Sequence, residues 1–156
     1  MDKTIVIMGI GNWLLSDDGV GVHAAQSLAQ DPPPGALVVD AGTDALSALA
    51  FLADASRVLL IDAVRSGSEP GTIRRFTERD LSRPGNIHTS HTVHLLASRH
   101  LLPPDAGWPE FHILGVEPAS LTYGMELTPA VAVALPHVTR LCREIVSSWT
   151  SEPEHP

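Results

Sequence analysis

The sequence predicts an α/β fold: a three-layer, mainly parallel twisted sheet of about five strands with helices on both faces. Three observations carry that expectation. Short, continuously apolar β-branched runs alternate along the chain with stretches of helical periodicity, the pattern of right-handed crossovers. The apolar runs lack the polar alternation of a one-faced sheet, so both faces of their strands are expected to be covered. Acidic residues and glycines gather just after those runs, at the carboxyl ends of the strands, where open α/β sheets bind ligands.

The elements follow in order. "TIVIMGI" (4–10) reads as a doubly buried strand. Residues 17–30 place Val22, Ala25, Leu28 and Ala29 at helical spacing, with Ser16 or Asp17 as N-cap, and "DPPPG" (31–35) stops that helix. "ALVVD" (36–40) reads as a second buried strand, "DALSALAFLADA" (44–55) as a helix and "RVLLIDAV" (57–64) as a third buried strand. "GTIRRFTE" (71–78) is expected to be a strand at a sheet edge, because its arginine pair suits an exposed margin. "TSHTVHLLASRHLL" (89–102) reads as a helix and "EFHILGVEP" (110–118) as another strand. Thr128 and Pro129 form an N-cap and N1 pair for a long helix to about residue 149, with a kink or break expected at Pro136. Residues 1–150 are expected to form one α/β unit, and "SEPEHP" (151–156) a frayed tail.

Composition narrows the function classes. The 156 residues are 44 % hydrophobic and 18 % charged, as in a compact protein, and carry a net charge of −8 without a lysine or arginine run. That balance argues against nucleic acid and against an anionic membrane surface. No apolar stretch is long enough to span a bilayer, and "MDKTIVIMG" lacks the features of a signal peptide, so a cytoplasmic location is expected. Cys142, the only cysteine, sits in an apolar helical pattern and reads as a buried thiol.

The opening turn, "IVIMGIGNWLLSDDGVG", begins like a dinucleotide-binding loop. Gly9 and Gly11 match its first two glycines, but Leu14 stands where the third belongs. Asp17 and Asp18 would compete with phosphate groups for the N–H donors at the helix start. One of the two can cap the helix while the other faces the crevice. Asp62 follows "VLLI" at a strand end, and a carboxylate so close to a core needs a cation or several donors. His88, His91 and His94 recur at spacing three and face one another on a helix. With Asp18 and Asp62 they offer an O,O,N set for a borderline divalent ion, without choosing among nickel, zinc, manganese and iron.

Taken in order, four stretches resemble the hydrogenase maturation proteases, the endopeptidases that trim nickel-iron hydrogenase large subunits. They are "GIGNWLLSDDGVGVHAAQSL", "VVDAGTDALSAL", "LLIDAV" and "HILGVEPASLTYGMELTPAV". The resemblance spans about residues 4 to 148. It implies that Asp18 and Asp62 are the family's metal-interacting acids, with Asp17 the helix cap. It places the family histidine on His91, with His88 and His94 close by. Nickel is the implied metal, carried by the substrate rather than permanently bound. The implied partner is the precursor of a nickel-iron hydrogenase large subunit, cut near its C-terminus after nickel insertion. Asp62 is then the preferred general base and Asp18 the next. Asp40, Gly42, Thr43 and His94 are further cleft candidates. Two other readings compete: a nucleotide-binding oxidoreductase or sensor built on Gly9 and Gly11, and a non-catalytic metal-dependent module that binds the precursor.

Overall fold

The computed structural model describes residues 4–83, 85, 87–89 and 91–152. Five strands, β1 (Thr4–Ile10), β2 (Ala36–Gly42), β3 (Ala55–Ala63), β4 (Ile73–Thr77) and β5 (Glu110–Val116), form one sheet in the order β2-β1-β3-β5-β4. All neighbours run parallel except β4, which pairs antiparallel with β5 at the edge, where the arginine pair had placed it. Among the described residues the α-helices are α1 (Val20–Gln30), α2 (Ala45–Leu52), α3 (Glu78–Leu81), α4 (His91–Ala97) and α5 (Pro129–Ser151).

Why the central runs are apolar throughout is visible in the core. Along β3, Leu59, Ile61 and Ala63 pack with residues of α1 and α5, while Val58 and Leu60 pack with residues of α2 and α4. β1 divides the same way, with Ile5 and Ile7 on one face and Val6, Met8 and Ile10 on the other. Alternate side chains meet different helices, so every position from Ile5 to Ile10 and from Val58 to Ala63 is buried.

Several expectations need correction. β2 is the other edge of the sheet, not a doubly buried strand; Leu37 is 44 % exposed and Asp40 faces solvent. An apolar run of four, Ala36 to Val39, cannot reveal whether a neighbour lies on each side of it. The helix expected from residue 17 opens instead as a 3-10 turn, Ser16–Gly19, and α1 proper has Gly19 at its N-cap with no side-chain cap. The predicted helix 44–55 ends at Leu52, and Ala55 already belongs to β3, although Asp44 caps α2 through Ser47 N–H at 3.0 Å. The helix expected over 89–102 is α4 followed by a 3-10 turn, Ser98–Leu101. The short α3 was not foreseen; a capping box between Thr77 and Asp80 nucleates it.

α5 runs unbroken through Pro136. The ring sits on the exposed side of the helix, and Ala132, whose carbonyl loses its donor there, is exposed as well, so water can satisfy it. Ser151 still belongs to α5, and residues 153–156 of the expected tail lie outside the described residues. Cys142 is fully buried on the inner face of α5, and burial pushes its thiol up to about 12.

Candidate active site

The chain leaves β1 for β2 on one side and returns to β3 on the other. The carboxyl ends of β1 and β3 therefore flank the point where strand order reverses, and a crevice opens there. Asp18 follows β1, and Asp62 stands one residue before the end of β3. Glycine is what lets α1 reach this point. A Cβ on Gly9 would lie 2.0 Å from the Gly21 carbonyl oxygen, and one on Gly21 would lie 2.1 Å from that of Ile61. Gly11 has φ +134°, and a Cβ there would meet the Asp18 carbonyl oxygen at 2.0 Å.

Asp62 is fully buried, and its two oxygens differ sharply in surroundings. Oδ2 accepts hydrogen bonds from Thr89 Oγ1 at 2.8 Å, Thr92 Oγ1 at 2.8 Å and the Thr92 N–H at 3.1 Å. Oδ1 has no hydrogen-bond partner among the described residues. Burial raises the carboxyl above its ordinary range, against the lowering effect of the threonine hydrogen bonds and the nearby His91. The donors demanded by a carboxylate near the core thus serve only half of it. Thr89 and Thr92, which flank His91 in the polar stretch "HTSHT" (88–92), are site residues the sequence reading missed; their spacing of three was the available signal.

His91 opens α4, and its Nε2 donates to Asp18 Oδ2 at 2.8 Å. The Asn12 N–H donates to the same oxygen at 2.9 Å. Burial alone would raise Asp18, but these hydrogen bonds and the imidazole charge outweigh it and hold the carboxyl below its ordinary value. His91 is raised in turn, chiefly by its hydrogen bond to Asp18 and then, against burial, by the charges of Asp62 and Asp18. Two carboxyls at one strand edge are therefore driven in opposite directions, the arrangement that separates acid and base roles.

Asp17 does something other than cap its own helix. Its buried carboxylate accepts from the N–H groups of Ala119 (2.8 Å), Ser120 (3.1 Å) and Thr128 (2.8 Å) and from Thr128 Oγ1 (2.8 Å). It ties the 3-10 turn to the loop after β5 and to the start of α5, a link across a hundred residues that no local pattern reveals.

The remaining candidates are spread around this centre. His88 and His94 are exposed, while His91 is half-buried. His88 exchanges two backbone hydrogen bonds with Arg65, at 3.0 and 2.8 Å. Asp40 accepts from Gln26 Nε2 at 3.3 Å on the exposed edge of β2. Gly42, with φ +53°, accepts from the Gly11 N–H at 2.9 Å. Gly42, Thr43 and His94 line a small hollow of about 90 Å³ together with His91 and Ile10. A larger hollow of about 520 Å³ is lined by Asp18, Arg65, Ile87, His88, Val93 and Leu121. The Asp18–His91 hydrogen bond stands between the two. His23 sits half-buried on α1, with Nε2 unpartnered among the described residues. Among the described residues no three His, Cys, Asp or Glu side chains are arranged to hold a metal ion on their own.

Comparison with known proteins points one way. The profile of a hydrogenase maturation protease family, HycI, matches residues 22–145, a span that includes Asp62 and His91 and begins just after Asp18. The chain is 30 % identical over 138 residues to the hydrogenase expression/formation protein HupD of Rhodobacter capsulatus, covering 83 % of this chain and 65 % of that protein. Its fold is similar to that of the hydrogenase maturating endopeptidase HybD from E. coli, with a TM-score of 0.80, 24 % identity and 93 % of each chain covered. It is also similar to the [NiFe] hydrogenase maturation protease HybD from Thermococcus kodakarensis, with a TM-score of 0.78, 26 % identity, and 91 % of this chain and 98 % of that one covered.

Proposed function

The chain belongs to the hydrogenase maturation protease family, peptidase hydrolases, and from that premise we propose that it removes a C-terminal peptide from the nickel-loaded precursor of a nickel-iron hydrogenase large subunit. One observation carries the site assignment: a buried carboxyl with one oxygen pinned and the other unpartnered, beside a paired carboxylate and imidazole.

In this reading the nickel arrives with the substrate. Parting the Asp18–His91 hydrogen bond frees one oxygen and one nitrogen donor next to Asp62 Oδ1, an O,O,N set that can touch a borderline divalent ion without storing it. The metal contact acts as a checkpoint, because only a loaded precursor seats its tail correctly. Asp62 is the general base. Its raised proton affinity suits it to take a proton from water nearer neutral pH than an ordinary carboxylate would, and Thr89 and Thr92 fix its orientation. Asp18, held anionic by the Asn12 N–H and by His91, keeps the imidazole oriented toward the crevice until the metal-bearing tail arrives and takes its place as partner.

The surroundings suit a protein substrate. Trp13 and Leu14 are 45 % and 46 % exposed, and Tyr123 and Met125 are 91 % and 55 % exposed. Their two loops are joined by hydrogen bonds from the Ser16 N–H to the Gly124 carbonyl (2.8 Å) and from the Gly124 N–H to that of Leu14 (3.0 Å). Exposed aromatics and methionine on a braced rim are the residue types that anchor protein interfaces.

The test is a mass spectrum of the large-subunit precursor after incubation with the protein, nickel-loaded and nickel-free samples side by side. Loss of a C-terminal peptide from the loaded sample alone is the expected result. Cleavage of both would keep the peptidase and remove the nickel checkpoint. Binding without cleavage would leave a recognition module in its place.

A further inference from the structure

The protein is strongly acidic, yet half of its ten cationic residues lie between positions 65 and 83. Arg65, Arg74, Arg75, Arg79 and Arg83 there face only three acids, Glu69, Glu78 and Asp80. Asp80 Oδ2 accepts from the Thr77 N–H at 2.8 Å and from Thr77 Oγ1 at 3.0 Å, as the cap of α3, and the nearby charges of Arg83 and Arg79 add a smaller attraction to it. Glu78 accepts from Trp108 Nε1 at 3.2 Å. Arg74 lies over the Phe76 ring, 5.1 Å from its centroid, on the exposed edge strand. None of Arg65, Arg74 and Arg83 belongs to a salt bridge among the described residues.

These arginines are placed with respect to the candidate active site. A hollow of about 300 Å³ is lined by Arg74, Arg75, Phe76, Asp80, Arg83 and Ile87. Ile87 also lines the hollow that holds Asp18 and Arg65. The two depressions therefore adjoin. Arginines thus line both hollows, Arg74, Arg75 and Arg83 the one at the β4 edge and Arg65 the one that holds Asp18. The paired backbone hydrogen bonds between Arg65 and His88 brace the second.

We propose that Arg65, Arg74 and Arg83 form a docking track for an acidic stretch of the precursor next to the bond that is cut. The proposal rests on the peptidase reading above. A protein of net charge −8 repels an acidic partner at long range, so such a partner can seat only where the local field is reversed. The track meets this condition, and the hollow lined by Arg65 also holds Asp18 of the candidate active site. Its contacts are to the substrate body and flanking chain, so it governs binding and leaves the chemical step alone.

The experiment measures the Kd of the precursor for the Asp62→Asn protein, silenced so that binding is read without cleavage, at low and high salt. Arg74→Glu with Arg83→Glu should weaken binding roughly tenfold or more and flatten its salt dependence, because exposed charges are screened beyond a Debye length of about 10 Å at 0.1 M. Arg74→Lys with Arg83→Lys should stay within about twofold of the parent, since charge is kept. Arg140→Glu is a control for overall charge on α5, where Arg140 is exposed and pairs with Glu144. Unchanged Kd and salt slope in the reversal variant, or an equal loss in the Arg140 control, would overturn the track. An oligoglutamate peptide is a second probe, independent of the precursor. If the precursor neither binds nor is cut, the substrate assignment fails, while peptide binding lost on charge reversal still upholds the track. A parent protein that binds no oligoglutamate and shows no salt-dependent precursor binding refutes it.

Discussion

Replacing Asp17 with alanine removes the acceptor for four hydrogen bonds at once, three from backbone N–H groups and one from the Thr128 hydroxyl. The side chain is fully buried, so water does not already compete for those donors. A hydrogen bond to a charged group contributes about 1.5–3 kcal/mol net, and a donor left without a partner costs about 1–3 kcal/mol. Ala119 is exposed and Ser120 and Thr128 half-buried, so the loop can recover part of this by rehydrating. The net loss works out at about 3–5 kcal/mol, near the upper end for a single substitution. For a chain of this size that is a fall in Tm of roughly 6–20 °C. Asp17→Asn should lose almost as much, because its NH2 group would oppose one of the donors. Urea unfolding of the three proteins measures the effect. A shift below about 1 kcal/mol with an unchanged m-value would refute the claim that this carboxylate holds the loop after β5 to α5.

Other expectations concern the site itself. Asp62→Asn keeps an oxygen for Thr89 and Thr92, so its Tm should stay within about 4 °C while precursor cleavage falls by about 10² or more; retained cleavage in a folded variant would remove Asp62 from the chemistry. Among single His→Ala variants at positions 88, 91 and 94, His91 alone should lose cleavage to a comparable degree, because it alone donates to Asp18. A loss at His94 alone would reassign the metal contact. The Asp18–His91 pair also predicts a pH profile of stability. The lowered Asp18 stabilises the fold above its ordinary 3.8, an effect lost as pH falls through the folded value. The raised His91 stabilises it below its ordinary 6.5, an effect lost as pH rises through the folded value. The difference in unfolding free energy between the unmodified protein and Asp18→Asn should therefore be widest between pH 3.8 and 6.5 and narrow on both sides; a flat difference from pH 3 to 9 would contradict the pairing. Gly21→Ala should fail to fold stably, since its Cβ would lie 2.1 and 2.5 Å from two strand carbonyl oxygens, and a soluble variant with unchanged Tm would refute that packing argument.

The sequence by itself determined what local periodicity and strand ends can encode. The doubly buried character of β1 and β3 is written in their unbroken apolar runs, and β4 was marked as an edge by Arg74 and Arg75. Asp62, at the end of an apolar strand, could be singled out because its position is costly without partners, whereas Asp18 was chosen over Asp17 only by the family resemblance. Tertiary structure decided the rest, because each remaining property depends on a neighbour distant in the chain. β2 reads like β1, yet it lies at an edge because strand order is set by crossovers, not by composition. Three histidines at spacing three are equivalent on paper; His91 is distinguished only because the start of α4 meets the turn after β1, 73 residues away. Asp17 and Asp18 are adjacent and chemically identical, and the fold gives one to the loop before α5 and the other to the crevice. Long-range hydrogen bonds, which no window along the chain contains, are what turn identical side chains into different parts of a site.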